Sequence, residues 1–218
     1  MNRNRNTGTK ILLSLAAIGL AAAIAGLGTY ATFTSTTSAS ETVTAGKVEI
    51  ALGASGPANR LSVSATNVVA GDTIARAVDL IDTSTDPLKT VKLTTTATAS
   101  SVLDTNTTDG LQMYIQRCSL PAGWTEAGSN PAYTYTCPSG TITDVLGSAA
   151  SPVNIITTTS GGVSLANLTA LTTAGPVTDH LLITVSLPQS NTDANLASPP
   201  SSTIQYSFTG TQRDATNR

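Results

Sequence analysis

Residues 180–187 read HLLITVSL and residues 203–209 read TIQYSFT, and these two stretches decide the fold class. In both of them an apolar residue occupies every second position. These positions are Leu181, Ile183, Val185 and Leu187 in the first stretch and Ile204, Tyr206 and Phe208 in the second. A period of two places alternate side chains on one face of an extended chain. We therefore predict two strands, each with one buried face.

Further strands are predicted upstream, wherever apolar and polar residues alternate. They cover residues 47–52, 61–64, 73–82, 88–100 and 111–118, although the charge of Arg76 interrupts the apolar face of 73–82. No stretch after the N-terminal segment has the 3.6-residue apolar period of a helix. This pattern favours antiparallel pairing over a βαβ fold. We predict an all-β fold, an antiparallel jelly-roll-like β-sandwich, formed as one domain by residues 47–218.

The chain is polar but carries few charges. It has 218 residues, with 11 basic and 13 acidic side chains and a net charge of −2, and charged residues make up only 11% of it. Threonine and serine together account for 62 residues, and threonine favours strands. A net charge so close to zero does not predict the basic surface that nucleic-acid binding needs. The composition is typical of an extracellular all-β domain, with no nucleic-acid partner.

The first 31 residues have the layout of a secretory signal peptide. An apolar stretch, residues 11–28, follows a basic start that contains Arg3, Arg5 and Lys10. Thr29 and Ala31 are small residues suited to positions −3 and −1 of a cleavage site, which predicts cleavage between Ala31 and Thr32. Cleavage after Ala25 and an uncleaved membrane anchor are the alternatives. We expect a secreted protein that meets the membrane only through this segment, before cleavage.

Cys118 and Cys137 are the two cysteines of the chain. An exported protein meets oxidising conditions, so we predict a disulfide between them. The residues they enclose are rich in proline and glycine and predict a surface loop tied at its base. A zinc site needs three or more clustered ligands, whereas the chain has one histidine, His180, expected to be solvated at a strand end. We predict no metal, no cofactor and no enzymatic activity.

Three further features of the sequence are GTYATFTSTTSASETVTAGKVEI (28–50), VVAGDTIARAVDLIDTST (68–85) and the pair of C-terminal strands quoted above. In this order along the chain, they resemble the TasA/camelysin family. The resemblance implies a jelly-roll sandwich exported from a Gram-positive-type cell after cleavage by a signal peptidase of the SipW type. It also implies, as in several members, assembly into extracellular fibres of the biofilm matrix through a strand at the mature N-terminus. Relatives of the camelysin type have been classed as metallopeptidases.

The segment with the composition of such a strand is the N-terminal extension, residues 32–46. Six threonines favour an extended backbone, whereas only Phe33 and Val43 offer apolar anchors, so the segment gains little by packing on its own domain. Added to an exposed sheet edge of a neighbour, it would satisfy backbone hydrogen bonds, and proline at Thr36 would remove one donor. A flexible spacer is the alternative.

Two functions therefore stay open, and both place the protein in the extracellular matrix or at the cell surface. The first is a structural subunit that self-associates into fibres. The second is a monomeric adhesive module whose contact patch is formed by Trp124, Tyr133 and Tyr135, although packing of these rings on the sandwich is the commoner reason for aromatic residues in a loop. A camelysin-type metallopeptidase is a more distant third.

Overall fold

The computed structural model describes residues 47–61, 68–157, 159–189 and 201–214. All of them belong to one unit of the chain, Ala45–Arg218. Among the described residues, no helix is long and apolar enough to cross a membrane.

Several of the predictions made above concern residues outside the described ranges. The structure therefore does not address the signal peptide, its cleavage site, the extension or most of the predicted strand 61–64. The predicted functional residues concerned are Thr29, Ala31, Thr32, Phe33, Thr36 and Val43.

Strands dominate the described chain. In chain order they are β1 (Ile50–Leu52), β2 (Thr73–Asp82), β3 (Leu88–Ala99), β4 (Gln112–Cys118), β5 (Thr125–Ser129), β6 (Ala132–Thr136), β7 (Ile142–Leu146), β8 (Val153–Asn154), β9 (Val163–Ser164), β10 (Val177–Ser186) and β11 (Thr203–Gln212). Helical structure within the described ranges amounts to the four-residue α1 (Val102–Thr105) and one 3-10 turn (Thr169–Leu171). All the strand pairings are antiparallel, which confirms the predicted all-β class.

The strands form two sheets that face each other and a separate hairpin. The large sheet has the order β1-β2-β10-β4-β7, with β8 also paired to β4, and the small sheet has the order β11-β3-β9. β5 and β6 pair only with each other among the described strands. β3 of the small sheet lies between β2 and β4 of the large sheet in the chain, and both sheets are completed by C-terminal strands, so both depend on pairings between distant parts of the chain. The specific order of strand connections that defines a jelly roll stays a prediction.

The core is built from the inner faces of both sheets. Val78, Leu80, Leu181 and Ile183 of the large sheet meet Leu93 of the small sheet, and each is at most 1% exposed. Burial of side chains of this size contributes about 1.5–3 kcal/mol each, which makes this shared core the main stabilising element of the sandwich.

A β-bulge explains an irregularity in β3. Leu88 and Val91 are both buried although they lie three positions apart, which strict alternation does not allow. The register skips Lys89, since Thr211 pairs with Thr90 and Gln212 pairs with Leu88. An extra residue on one strand shifts the phase of the side chains and so turns both apolar residues to the core.

Candidate functional site

The chain enters the domain beside the end of β2 and is fixed there by hydrogen bonds. The backbone N–H groups of Thr83 and Thr85 donate to the carbonyl oxygens of Glu49 and Lys47, at 2.9 and 3.0 Å. In return, the N–H groups of Lys47 and Glu49 donate to the side-chain oxygens of Thr85 and Ser84, at 2.9 and 3.0 Å. The point at which the extension joins the domain is therefore held firmly against the large sheet.

Each sheet has an edge strand on the same side of the sandwich. β1 is the edge of the large sheet and pairs with β2 over three residues. β11 is the edge of the small sheet, ten residues long, and among the described residues its one strand neighbour is β3. The backbone groups on the other side of such an edge strand are the template for an added strand.

A groove of about 280 Å³ lies between these two edges, and we call it the edge groove. Its lining is mixed, with apolar side chains from both edges and two polar residues. The lining residues are Leu52, Ser55, Asn59, Leu61, Ile204 and Tyr206. Leu52 is 36% exposed, and burial raises the pKa of Tyr206 to about 12. Ile204, Tyr206 and Phe208, on the inward-facing side of β11, are half-buried, so this side of the strand is only partly covered.

The predicted disulfide is present, with Cys118 bonded to Cys137. It closes what we call the disulfide loop, residues 118–137, whose central part is the β5–β6 hairpin. The composition of this segment predicts a surface loop tied at its base, and the structure shows in addition that the loop contains two paired strands. The alternation of AYTYT (132–136) was the signal for β6, and β5 contains too few apolar residues to give one.

One side of the hairpin, with Glu126, Tyr133 and Tyr135, contacts the large sheet, whereas its other residues are exposed. Arg60 forms two hydrogen bonds with Glu126, at 2.9 and 2.6 Å, and its guanidinium lies 4.6 Å from the ring centroid of Tyr133. The Tyr135 hydroxyl also donates to Glu126, and burial together with this carboxylate raises the pKa of Tyr135 to about 12. Arg76 donates to the Pro131 carbonyl from the sheet side. These contacts leave both tyrosines half-buried.

The strand 73–82 is present as predicted, although the charge of Arg76 interrupts its apolar face. The residue is 6% exposed, and its guanidinium donates to the carbonyl oxygens of Ala75 and Pro131 and faces the ring of Tyr133 at 5.8 Å. A buried charge with such partners is compatible with a long strand. Burial lowers the pKa of Arg76.

Trp124 and His180 pack together at the base of the disulfide loop. The indole N–H of Trp124 donates to the backbone carbonyl of His180 at 2.9 Å. The expectation of a solvated His180 was wrong: its side chain is 13% exposed, and its ring nitrogens lie 2.7 Å from Asp79 Oδ1 and 3.1 Å from the Pro121 carbonyl oxygen. Local sequence patterns do not encode these contacts, because they form only when the disulfide loop folds back over the histidine.

A second shallow groove, of about 380 Å³, lies beside Arg117 and Thr169. The Arg117 guanidinium contacts the Thr169 hydroxyl and lies 3.3 Å from Asp179, which is fully buried. Asp179 also accepts hydrogen bonds from the N–H groups of Thr169 and Ala170. Both charges are therefore engaged in holding the 3-10 turn to β10, and we assign this groove a structural role.

The side chains present do not fit a zinc-peptidase centre. No three His, Cys, Asp or Glu side chains cluster within the part of the chain that the structure describes. Both ring nitrogens of His180, the single histidine of the sequence, are engaged by Asp79 and Pro121, while Asp179 is committed to Arg117 and two backbone N–H groups. A catalytic zinc site needs three protein ligands and an open position for water.

The aromatic side chains predicted for an adhesive patch thus face the sandwich, and the edge groove between β1 and β11 is the candidate site that remains. Comparison with curated proteins found no match. Residues 6–120 match the family model described as camelysin metallo-endopeptidase. Because this match covers more than half of the 218 residues, the chain belongs to the camelysin family.

Proposed function

We propose that this protein is a secreted structural subunit that assembles into extracellular fibres, in which each subunit donates residues 32–44 as a strand to its neighbour. The mature chain begins at Thr32 after cleavage by a signal peptidase of the SipW type. Membership of the camelysin family and the resemblance to TasA at both ends of the chain support this proposal. Both ring nitrogens of His180 are engaged by Asp79 and Pro121 and are not available to bind zinc, which supports a role without peptidase activity.

The observation that carries the proposal is the open edge of the small sheet. β11 offers ten residues of backbone, and the edge groove runs beside it with Ile204 and Tyr206 on its wall. A strand added to this edge would extend the small sheet and direct alternate side chains into the groove. Phe33 and Val43 are an even number of positions apart, so they lie on the same face of an extended strand and suit such a groove.

Donation of this kind produces a linear polymer. The donor segment and the acceptor edge are different surfaces, so the contact is heterologous and repeats from subunit to subunit without closing. Each backbone hydrogen bond contributes about 0.5–1.5 kcal/mol net, and a ladder of several bonds is needed to offset the cost of ordering the donor.

The test compares protein that begins at Thr32 with protein that begins at Lys47, by electron microscopy and light scattering. We expect filaments from the first and monomers from the second, with the same circular dichroism. The shorter protein keeps the acceptor edge but lacks the donor, so in substoichiometric amounts it should cap growing ends and shorten filaments. Thr36→Pro should weaken assembly by removing one N–H donor, whereas Thr36→Val keeps that donor and serves as the matched control.

Two results would contradict the proposal. One is filaments of unchanged appearance from protein that begins at Lys47. The other is a monomeric full mature protein under all conditions tried, which would favour the monomeric adhesive module.

A further inference from the structure

The outer face of the large sheet contains an ion pair that is covered by the first turn of the disulfide loop. His180 of β10 lies directly opposite Asp79 of β2 in the strand register. The Nδ1 atom of His180 is 2.7 Å from Asp79 Oδ1, and the Nε2 atom is 3.1 Å from the Pro121 carbonyl oxygen. The ring thus bridges a strand of the sheet and a turn of the loop.

Both partners of this ring are hydrogen-bond acceptors. A carboxylate and a backbone carbonyl can only accept, whereas a neutral imidazole has one N–H and can donate to one of them. The imidazolium has two N–H groups and can donate to both at once. The geometry therefore selects the protonated form of His180.

The turn is fitted closely to this ring. Gly123 has a φ of +71°, and a Cβ atom there would lie 2.7 Å from His180 Nδ1, so only glycine allows this approach. The turn is closed by the Gly123 N–H, which donates to the Leu120 carbonyl at 2.9 Å. Trp124, the next residue, donates to the backbone carbonyl of His180. The turn thus approaches the His180 ring at Gly123 and is bonded to the His180 backbone through Trp124.

The other charged groups on the elements packed around His180 have their own partners. On β10, Asp179 points to the opposite face and is engaged by Arg117 of β4. Cys118, opposite His180 on β4, is in the disulfide. On the hairpin, Glu126 is paired with Arg60, and Arg76 of β2 donates to Pro131. Asp79 therefore has the largest effect on the protonation of His180, and the negative charge of Asp179 adds a smaller effect in the same direction.

We propose that His180 is a pH-dependent latch that, when protonated, bridges Asp79 and the Pro121 carbonyl and holds the turn 120–124 closed over the large sheet. Loss of the proton removes one of the two donors. The turn, with Trp124, then loosens, while the disulfide still tethers the loop at Cys118.

The direction of the pH dependence follows from the ion pair. The hydrogen bond to Asp79 raises the pKa of His180 above its ordinary value of 6.5, against the opposing effect of burial. A raised pKa in the folded state means that the stabilisation is fully present below pH 6.5. It is lost as the pH rises through the pKa of the folded protein.

The chain carries its own probes for the test, because it contains one histidine and one tryptophan. In untagged mature protein, NMR reports the titration of the single imidazole, and Trp124 fluorescence reports the turn, both between pH 5.5 and 9. We expect one common midpoint above pH 6.5 for both signals. Hydrogen exchange at residues 119–124, corrected for the intrinsic effect of pH, should increase across the same range.

Three variants decide the outcome. Asp79→Asn removes the charge and should move both midpoints to lower pH, whereas Asp214→Asn, at an exposed carboxylate in a pair with Lys89, should leave them unchanged. His180→Gln should abolish the fluorescence transition. A fluorescence signal that does not follow the imidazole, a midpoint unaffected by Asp79→Asn, or a transition that persists in His180→Gln would overturn the proposal. If His180→Gln does not fold, the shift of both midpoints in Asp79→Asn still tests the proposal.

Discussion

Thr95 shows what a single hydroxyl contributes inside this sandwich. The residue is fully buried in β3, where its hydroxyl donates to the Ile155 carbonyl at 2.6 Å and accepts from the Thr157 N–H at 2.9 Å. Its own N–H donates to the Thr157 hydroxyl at 3.0 Å. Two threonines thereby join β3 to residues 155–157 without a regular strand ladder.

We expect Thr95→Val to destabilise the protein by about 1–3 kcal/mol, because valine has the same shape but leaves the Ile155 carbonyl and the Thr157 N–H without their buried partner. Urea denaturation measures the change. Thr96→Val is the matched control: this neighbour is exposed, and a surface substitution typically changes stability by within about 0.5 kcal/mol. Equal effects of the two substitutions would contradict this account of Thr95.

At the scale of elements, the β5–β6 hairpin depends on Glu126 more than on an apolar face. The hydrogen bonds from Arg60 lower the pKa of Glu126, and the Tyr135 hydroxyl adds to this effect. A lowered carboxyl pKa means that the stabilisation is present above the ordinary value of 4.5 and is lost as the pH falls through the folded value. Acid should therefore loosen the hairpin before the core unfolds.

Glu126→Gln should reproduce the acid effect at neutral pH, because glutamine lacks the charge. We expect hydrogen exchange of residues 125–136 at pH 6 to be faster by about two- to fivefold, the range of partly exposed ion pairs. After correction for the intrinsic effect of pH on exchange, lowering the pH should accelerate exchange of the same residues in the wild type and change the variant little. Glu49→Gln, in the exposed pair with Lys47, is the control and should leave the hairpin unaffected. A pH dependence in Glu126→Gln equal to that of the wild type would refute this role.

The long strands were predictable because one face of each meets the core. Alternation indicated β3, β4, β10 and β11 correctly, and it indicated β2 in spite of Arg76. The short strands β7 to β9 and the strands of the β5–β6 hairpin were not predicted, because they bury few apolar side chains and so show no clear alternation. The contacts of His180 and Glu126 were not predicted for a different reason. They form where the disulfide loop folds back on the sheet, and the periodicity of the local sequence does not encode such long-range contacts.

For the molecule as a whole, a shared apolar core holds the two sheets together, and one disulfide closes the loop 118–137. We therefore expect EDTA to leave the midpoint of thermal unfolding of the mature protein unchanged, and added zinc to have no effect. Calorimetry with and without chelator measures this directly. A lower midpoint in EDTA that zinc restores would reveal a metal site and would revive the peptidase interpretation of the family match.

The pairing of β10 with both β2 and β4 has a consequence for the order of folding. Val177 of β10 pairs with Asp82, and Thr211 of β11 pairs with Thr90, so each sheet joins residues separated by about half the chain. Pairings of such high contact order form slowly, because the entropy of closing a long loop is lost before the strands meet. Neither sheet can be completed until β10 and β11, residues 177–212, have been synthesised. The sandwich therefore closes last, around these two strands, and most of the chain must wait for them before it can fold.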